Sequence, residues 1–348
     1  MPEVQLFVGG KCYEGWLSMR LTRSIEQAAA AFTLSFSERW SSERRPVPID
    51  EGDACTVKVR GKLAVTGYID DSNITYSATE HTMDVRGRSK AGDLVDCSAV
   101  HDSGQWANKG LLQIAKDLCD PYGVSVFADA DVSKPLPQFA LEQGEKVFDA
   151  LERGARMYGC LLTSGSDGSL HFAEAGSKRT STVLRLGSNI ERGSRRGSWS
   201  GRFSKYIVKA QSRGSDQFSG ADAATPQATA TDPAVSRSRT LIVLADDQGA
   251  GDVLQNRATW ERNVRAGRAR KLTYIVRGWE RQGGLWEPNL LVKVEDEILR
   301  VDAELLVVSA TLILDGQGAR TQLELTEREA YTVLELPPKT TSFIGESA

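Results

Sequence analysis

Histidine is scarce in this chain. His81, His101 and His171 are the only three. They lie far apart, and no H-E-x-x-H segment places two of them on one helix face, which excludes that zinc-hydrolase arrangement. Cysteine is sparse as well. Cys12, Cys55, Cys97, Cys119 and Cys160 are odd in number, widely spaced and without a C-x-x-C pair. That pattern fits neither a zinc knuckle nor a disulfide framework, and points to free thiols in a reducing compartment such as a bacterial cytoplasm. No apolar run approaches the ~20 residues that a membrane span needs. Met1-Pro2-Glu3-Val4-Gln5 has neither a basic nor an apolar leader region, so no export signal is expected.

Catalytic signatures are missing too. Gly87-Arg88-Ser89-Lys90 lacks the upstream glycine of a phosphate-binding loop, and Gly92 follows the lysine instead of preceding it. In Gly197-Ser198-Trp199-Ser200-Gly201 the serines sit off the centre of a nucleophile elbow, and Ser194 makes none either. The carboxylate pairs Glu142 with Glu145 and Asp70 with Asp71 read as solvated turns and helix caps rather than a glycosidase pair. Asp129, Asp131 and Asp167 match no calcium loop. The expectation is therefore a non-enzyme, with no catalytic, cofactor or metal residues.

What is present is an ordinary globular composition over 348 residues, 40% hydrophobic and 26% charged, enough for two to four domains. The net charge of −3 hides a segregation. Leu186 to Arg213 holds seven basic residues and one acidic, Arg257 to Arg281 eight and two, and Trp286 to Glu335 four and eleven. Such segments suggest complementary faces between domains or subunits. A nucleic-acid site is the sharper reading, but no reader motif accompanies the charge. Seven tryptophans occur, with Trp199, Trp260, Trp279 and Trp286 in the second half, suited to a core or an interface. Trp260, Arg262, Arg265 and Trp286 are the candidate interface residues.

The hydrophobic periods divide the chain. Residues 1–95 alternate as short antiparallel strands, with turns at Gly9-Gly10 and Gly61-Lys62, and predict a first β-barrel domain. Residues 96–185 predict an α/β module with an internal echo. Leu111, Ile114, Ala115 and Leu118 line a helix ending at Tyr122-Gly123 before a strand. Val147, Leu151, Ala155 and Tyr158 repeat this, ending at Tyr158-Gly159. Residues 186–214 and 286–335 predict a second β-barrel domain, with a strong hairpin of Leu305–Leu314 and Thr321–Thr326. Residues 215–285 read as a small α/β insertion, and Ser212–Asp232 as a polar surface loop where proteases would cut first. Residues 336–348 read as a C-terminal tail. The class is mainly β with α+β: two similar antiparallel β-barrel domains, an α/β module between them and a small α/β insertion in the second barrel.

Several phrases resemble a known family. They are Gly67-Tyr68-Ile69-Asp70, Val85-Arg86-Gly87-Arg88-Ser89-Lys90 and Gly92-Asp93-Leu94-Val95-Asp96-Cys97-Ser98-Ala99. Later come Trp279-Glu280, then Gly284-Leu285-Trp286-Glu287-Pro288-Asn289 and Val292, then Leu305-Leu306-Val307, and Leu323-Glu324-Leu325-Thr326 before Arg328-Glu329-Ala330. In this order they look like the baseplate hub proteins of Mu-type contractile tails, the tail protein D family, over residues 4–335. The resemblance implies a homotrimeric ring between the tail tube and the central spike, meeting baseplate wedge proteins. It also implies a channel for the tape-measure protein and passing DNA, assembly in the bacterial host cytoplasm and a place in the virion tail baseplate. It assigns no cofactor. The competing reading is a tail component that binds or cleaves the cell wall.

Overall fold

A computed structural model describes residues 3–38, 49–77, 81–209, 227–244 and 251–332. Seven strands open the chain: β1 (Val4–Val8), β2 (Lys11–Tyr13), β3 (Ser18–Ser24), β4 (Ala31–Glu38), β5 (Ala54–Val59), β6 (Lys62–Tyr76) and β7 (His81–Ser89). They pair antiparallel in the order β3-β4-β7-β6-β5-β1-β2. Alternation dictates this: Val4, Leu6 and Val8 are buried while Gln5 and Phe7 between them are not, and Phe32 and Leu34 repeat the pattern. Gly9 (φ 56°) and Gly10 (φ 77°) join β1 to β2, and Arg60 (φ 49°) and Gly61 (φ 75°) join β5 to β6. A two-residue hairpin of this type needs positive φ at both central positions. The second turn therefore lies one residue before the expected Gly61-Lys62. A bulge next to it, between Val57 and Lys58, turns Leu63 to solvent while Val65 stays in the core.

The central module holds α1 (Ala91–Asp96), β8 (Gln105–Lys109), α2 (Leu111–Cys119), β9 (Val126–Ala128), β10 (Leu136–Ala140), α3 (Val147–Met157), β11 (Leu161–Ser164) and β12 (Leu170–Ala173). The sequence echo becomes a spatial one. β9, which follows α2, and β11, which follows α3, lie on opposite sides of β12, the first parallel and the second antiparallel. Gly123 (φ 59°) and Gly159 (φ 67°) supply the left-handed residues between helix and strand. Leu111, Ile114, Leu118, Val147, Leu151, Leu162 and Phe172 share one core.

The remainder comprises β13 (Lys178–Arg185), β14 (Ile190–Gly197), β15 (Lys205–Lys209), β16 (Gln227–Thr231), β17 (Thr240–Leu244), α4 (Gly251–Arg268), β18 (Arg270–Arg277), β19 (Glu280–Arg281), β20 (Gly284–Leu285), β21 (Leu290–Asp296), β22 (Val301–Asp315) and β23 (Gly318–Thr326). β15, β16 and β17 form a separate sheet backed by α4 through Val208, Ala230, Leu254 and Ala258. The others run β14-β18-β23-β22, and β22 also carries β21, which carries β13 in parallel. β22 spans 15 residues, long enough to pair also with β3, from Met19 opposite Leu314 to Ser24 opposite Ser309. That seam makes one 13-stranded sheet of the two β regions, and Leu6, Phe32 and Val57 share a core cluster with Tyr274, Val292 and Leu323.

The chain is mainly β, with the α/β module between two β regions. Three expectations shift. Arg270–Arg277 was placed in the insertion, yet β18 lies in the main sheet, because its alternating Leu272, Tyr274 and Val276 need the large core. Lys178–Arg185 was placed in the module, yet β13 pairs with β21. The polar loop is shorter than Ser212–Asp232: Gln227–Thr231 is strand, and Asp232 is buried against Arg202. The rest of that loop and the tail 336–348 lie outside the described residues. Among the described residues no helix is long and apolar enough to cross a membrane.

Candidate assembly interface

The phrases that carry the family resemblance are the joints of the molecule. At the first joint, β6 and β7 approach so closely that a Cβ on Gly67 would lie 1.9 Å from the Arg88 carbonyl oxygen, and one on Gly87 2.3 Å from that of Tyr68. Only glycine fits at either place. The neighbouring Arg88 donates from Nε to Asp70 Oδ2 at 2.7 Å and from Nη2 to Asp96 Oδ2 at 2.7 Å, tying β6 and β7 to α1. Asp70 and then Asp96 raise the guanidinium pKa, and Arg88 in turn holds the Asp96 carboxyl below its ordinary value. Lys90 Nζ donates to the Gly123 carbonyl at 3.2 Å, a further tie to the module.

At the second joint the two β regions meet beside the β3–β22 seam. Trp279 is fully buried and donates from Nε1 to the Ile313 carbonyl at 2.8 Å. Glu280 binds Lys62 at 2.6 Å and Arg60 at 3.5 Å, both from the first β region, and Lys62 leads in holding its carboxyl low. Arg60 also lies over the Trp279 ring at 5.6 Å. Glu287 stands between Arg281 at 2.7 Å and Arg23 at 3.7 Å. Burial pushes the Arg23 guanidinium pKa down, against the pull of Glu287. Arg23 also donates to the Ser164 carbonyl of β11, so three parts of the chain converge there. Asn289 accepts from Gly176 N at 2.7 Å and donates to the Glu174 carbonyl at 3.0 Å, fixing the exit from the module.

The four residues expected at an interface are held within the chain. Trp286 is 2% exposed and belongs to the main core. Arg265 binds Glu261 at 2.9 Å, Arg257 binds the same carboxylate at 3.0 Å, and Trp260 lies under Arg257. Arg262 donates to its neighbour Asn263. These side chains brace α4 and are only partly exposed. The basic and acidic segments do meet, but inside one chain: Lys271 with Glu324 at 2.6 Å and Arg281 with Glu287 at 2.7 Å. Arg202 and Asp232 form a buried bidentate pair at the base of the β15–β17 unit. By contrast Arg192, Arg195 and Arg196 of β14 make no ion pair among the described residues and are exposed. Sequence reasoning passed over them individually. It missed Arg23 altogether, whereas Asp70, Arg88, Glu280, Glu287 and Asn289 stood inside the quoted phrases.

One cluster has catalytic spacing. Ser169 Oγ lies 2.9 Å from His171 Nε2, and His171 Nδ1 lies 3.0 Å from Asp129 Oδ2. Its chemistry is that of a turn. Ser169 is 3% exposed, and Asp167 Oδ1 accepts from both its hydroxyl and its amide. The single hydroxyl proton is thus committed to Asp167. Burial opposes ionisation there, yet the Ser169 bonds keep the Asp167 carboxyl below its ordinary value. The nearby Gly165 and Gly168 amides are spent on backbone carbonyls, leaving no oxyanion donor from them. A fluorophosphonate probe should leave Ser169 unlabelled, and Ser169→Ala should cost about 1 kcal/mol of stability, the worth of an ordinary hydrogen bond. Labelling of Ser169, read by peptide mass spectrometry, would overturn this. Glu145 is likewise occupied, by Arg153 at 2.9 Å and the Glu142 amide at 3.0 Å. Asp131 caps Ser133, and among the described residues no histidine, cysteine, aspartate and glutamate set could hold a metal.

Comparison with known proteins agrees with this absence of a working site. Residues 3–89 match the model of the Mu phage baseplate assembly protein GpP-like N-terminal domain. Residues 91–174 match the second domain of the baseplate hub protein gp44-like family, and 250–334 the fourth domain of the GpP family. The baseplate hub protein gp44 of Escherichia phage Mu is 36% identical over 340 residues, which is 95% of this chain and 89% of that protein. The 43 kDa tail protein of prophage MuSo2 from Shewanella oneidensis superposes with a TM-score of 0.87 at 34% identity, covering 95% of this chain and all of that one. The E. coli c3393 protein is a type VI secretion component described as structurally similar to the T4 tail proteins gp27 and gp5. It shares the fold alone, with a TM-score of 0.60 at 13% identity, over 95% of this chain and 80% of that one. The joints, the sheet and the relatives together place the chain in the Mu-type baseplate hub family, whose members are structural, non-enzymatic parts of the phage tail baseplate.

Proposed function

We propose that three copies of this chain form a ring at the centre of a contractile-tail baseplate, with the tail tube above and the central spike below. The observation that carries the reading is the pairing of two antiparallel β regions in one chain, locked at the β3–β22 seam. A tube of six-fold symmetry and a spike of three-fold symmetry need an adaptor between them. Three chains with two like β regions each present six near-equivalent faces upward and three-fold symmetry downward. The fold shared with c3393, itself likened to gp27 and gp5, supports the same arrangement. The axial space would pass the tape-measure protein and then DNA, and wedge proteins would bind the periphery. Assembly takes place in the host cytoplasm. All five cysteines are free, and burial pushes the thiols of Cys55, Cys119 and Cys160 up to about 12, keeping them protonated and inert.

The chain with its cognate spike should show three copies of 37.9 kDa by native mass spectrometry. A monomer, a dimer or a six-copy ring in that complex overturns the reading. Without the spike the ring is expected to form only at high concentration, by mass action.

A further inference from the structure

The main sheet ends in three strands, and one of them is covered. Along β13, Ser181 Oγ donates to the side-chain oxygen of Gln282 at 2.6 Å, and Gln282 N donates to Thr182 Oγ1 at 2.9 Å. The β19–β20 hairpin thus lies over that edge. The other two ends are open. β14 pairs only with β18, and every residue from Glu191 to Gly197 is exposed. β2 pairs only with β1, and Lys11 and Cys12 are exposed. One open end belongs to each β region. A strand with a free edge is a template for another strand, and a monomer leaves such an edge only at the risk of aggregation.

We propose that β14 of one copy pairs with β2 of the next, so that the main sheet continues around the ring. This rests on the three-copy reading above and names the surface that closes it. A head-to-tail contact joins two different patches and closes by rotation, which is what one open edge in each β region provides. The alternative, β14 against β14, would set Arg192, Arg195 and Arg196 opposite the same arginines, and like charges directly across a sheet are destabilising. The strand sense follows from counting along the path β14-β18-β23-β22-β3-β4-β7-β6-β5-β1-β2. Each neighbour is antiparallel, and the number of strands is odd. The first and last therefore run the same way, and the joint between copies is a parallel pair.

The faces agree as well. Gly193 and Arg195 stand opposite the buried Tyr274 and Leu272, so Arg192, Ser194 and Arg196 point away from the core. Cys12 stands opposite Phe7, whose neighbours Leu6 and Val8 point into the core, so Cys12 points away from it too. Leu6, Leu21, Leu312, Leu323 and Tyr274 share one core cluster, so the outward sides of β2 and β14 are the same side of one sheet. Pairing of the two edges would bring Cys12 of one copy beside an outward residue of β14 in the next.

The native Cys12 supplies the probe. Arg192→Cys, Ser194→Cys and Arg196→Cys are introduced singly, each at an exposed position, and the complex with the spike is treated with a mild oxidant. A disulfide needs Cα atoms about 4.4–6.8 Å apart, and three alternate positions sample the register of so short a strand. One variant should give chain-to-chain disulfides on a non-reducing gel, up to a covalent trimer, and Cys12→Ser should remove them. Three outcomes overturn the proposal: no Cys12-dependent link at any position while the three-copy mass persists, a link that survives Cys12→Ser, or a link to the spike. If the unaltered chain gives no three-copy mass, the ring reading itself has failed.

Discussion

Replacing Gly67 by alanine should cost more than ~3 kcal/mol, above the usual range for an overpacked core, and Gly87→Ala should behave alike. The reason is what the new methyl meets. At Gly67 it would lie 1.9 Å from the Arg88 carbonyl oxygen and 2.6 Å from the Ser89 Cα, both main-chain atoms of the neighbouring strand. A flexible side chain could swing aside, but β7 can yield only by parting from β6. That would open the pairs Gly67–Ser89, Tyr68–Arg88 and Ile69–Gly87, and would carry Arg88 away from Asp70 and Asp96. Gly9→Ala is the matched comparison. Gly9 also has a positive φ, 56°, but open space around it, so only the conformational cost of about 1–2 kcal/mol applies. Urea unfolding of the three variants checks the order. Equal midpoints for Gly67→Ala and Gly9→Ala would show that the close approach of β6 and β7 carries no weight.

That contrast also shows what a sequence can and cannot reveal here. The hairpin turns at Gly9-Gly10 and Asp315–Gly318, and both helix ends at Tyr-Gly, are written in adjacent residues, and the structure places them there. A bulge is written less clearly. The register shift after Val57 turned Leu63 outward against its period. The β3–β22 seam has no local signal, since Thr22 and Thr311, which share a hydrogen bond, are 289 positions apart. For the same reason β18 was taken for part of an insertion. A strand's period says that one face is buried, not which sheet buries it. Composition misled at Trp286, because tryptophan is common in both cores and interfaces, and only the fold decides. Arg262 and Arg265 were chosen for charge density, and the helical spacing of Arg257, Glu261 and Arg265 was the sign that part of that charge is spent inside α4.

Glu287→Gln should lower stability by about 2–4 kcal/mol, toward the range for breaking a buried ion pair from one side. The carboxylate faces Arg281 at 2.7 Å and Arg23 at 3.7 Å, and the three side chains are 27%, 12% and 13% exposed. Glutamine keeps the shape but leaves two guanidinium groups poorly hydrated and without that counter-charge. The partial exposure of Glu287 tempers the cost. The triple variant Arg23→Met, Glu287→Met, Arg281→Met should recover most of the loss, because packed apolar groups of similar volume need no counter-charge. Its effect on assembly should differ. Arg23 also binds the Ser164 carbonyl, so this cluster holds the first β region, the second and the module at one mutual angle. An adaptor between a six-fold and a three-fold ring depends on that angle in a way that simple folding does not. The triple variant should therefore unfold near the native midpoint yet form fewer three-copy rings with the spike, whereas Glu287→Gln should lose both. Chemical denaturation and native mass spectrometry read the two separately. A triple variant as unstable as Glu287→Gln would mean that packing, not charge, holds the joint. One that assembles fully would mean that the angle is set elsewhere, at the β3–β22 seam itself.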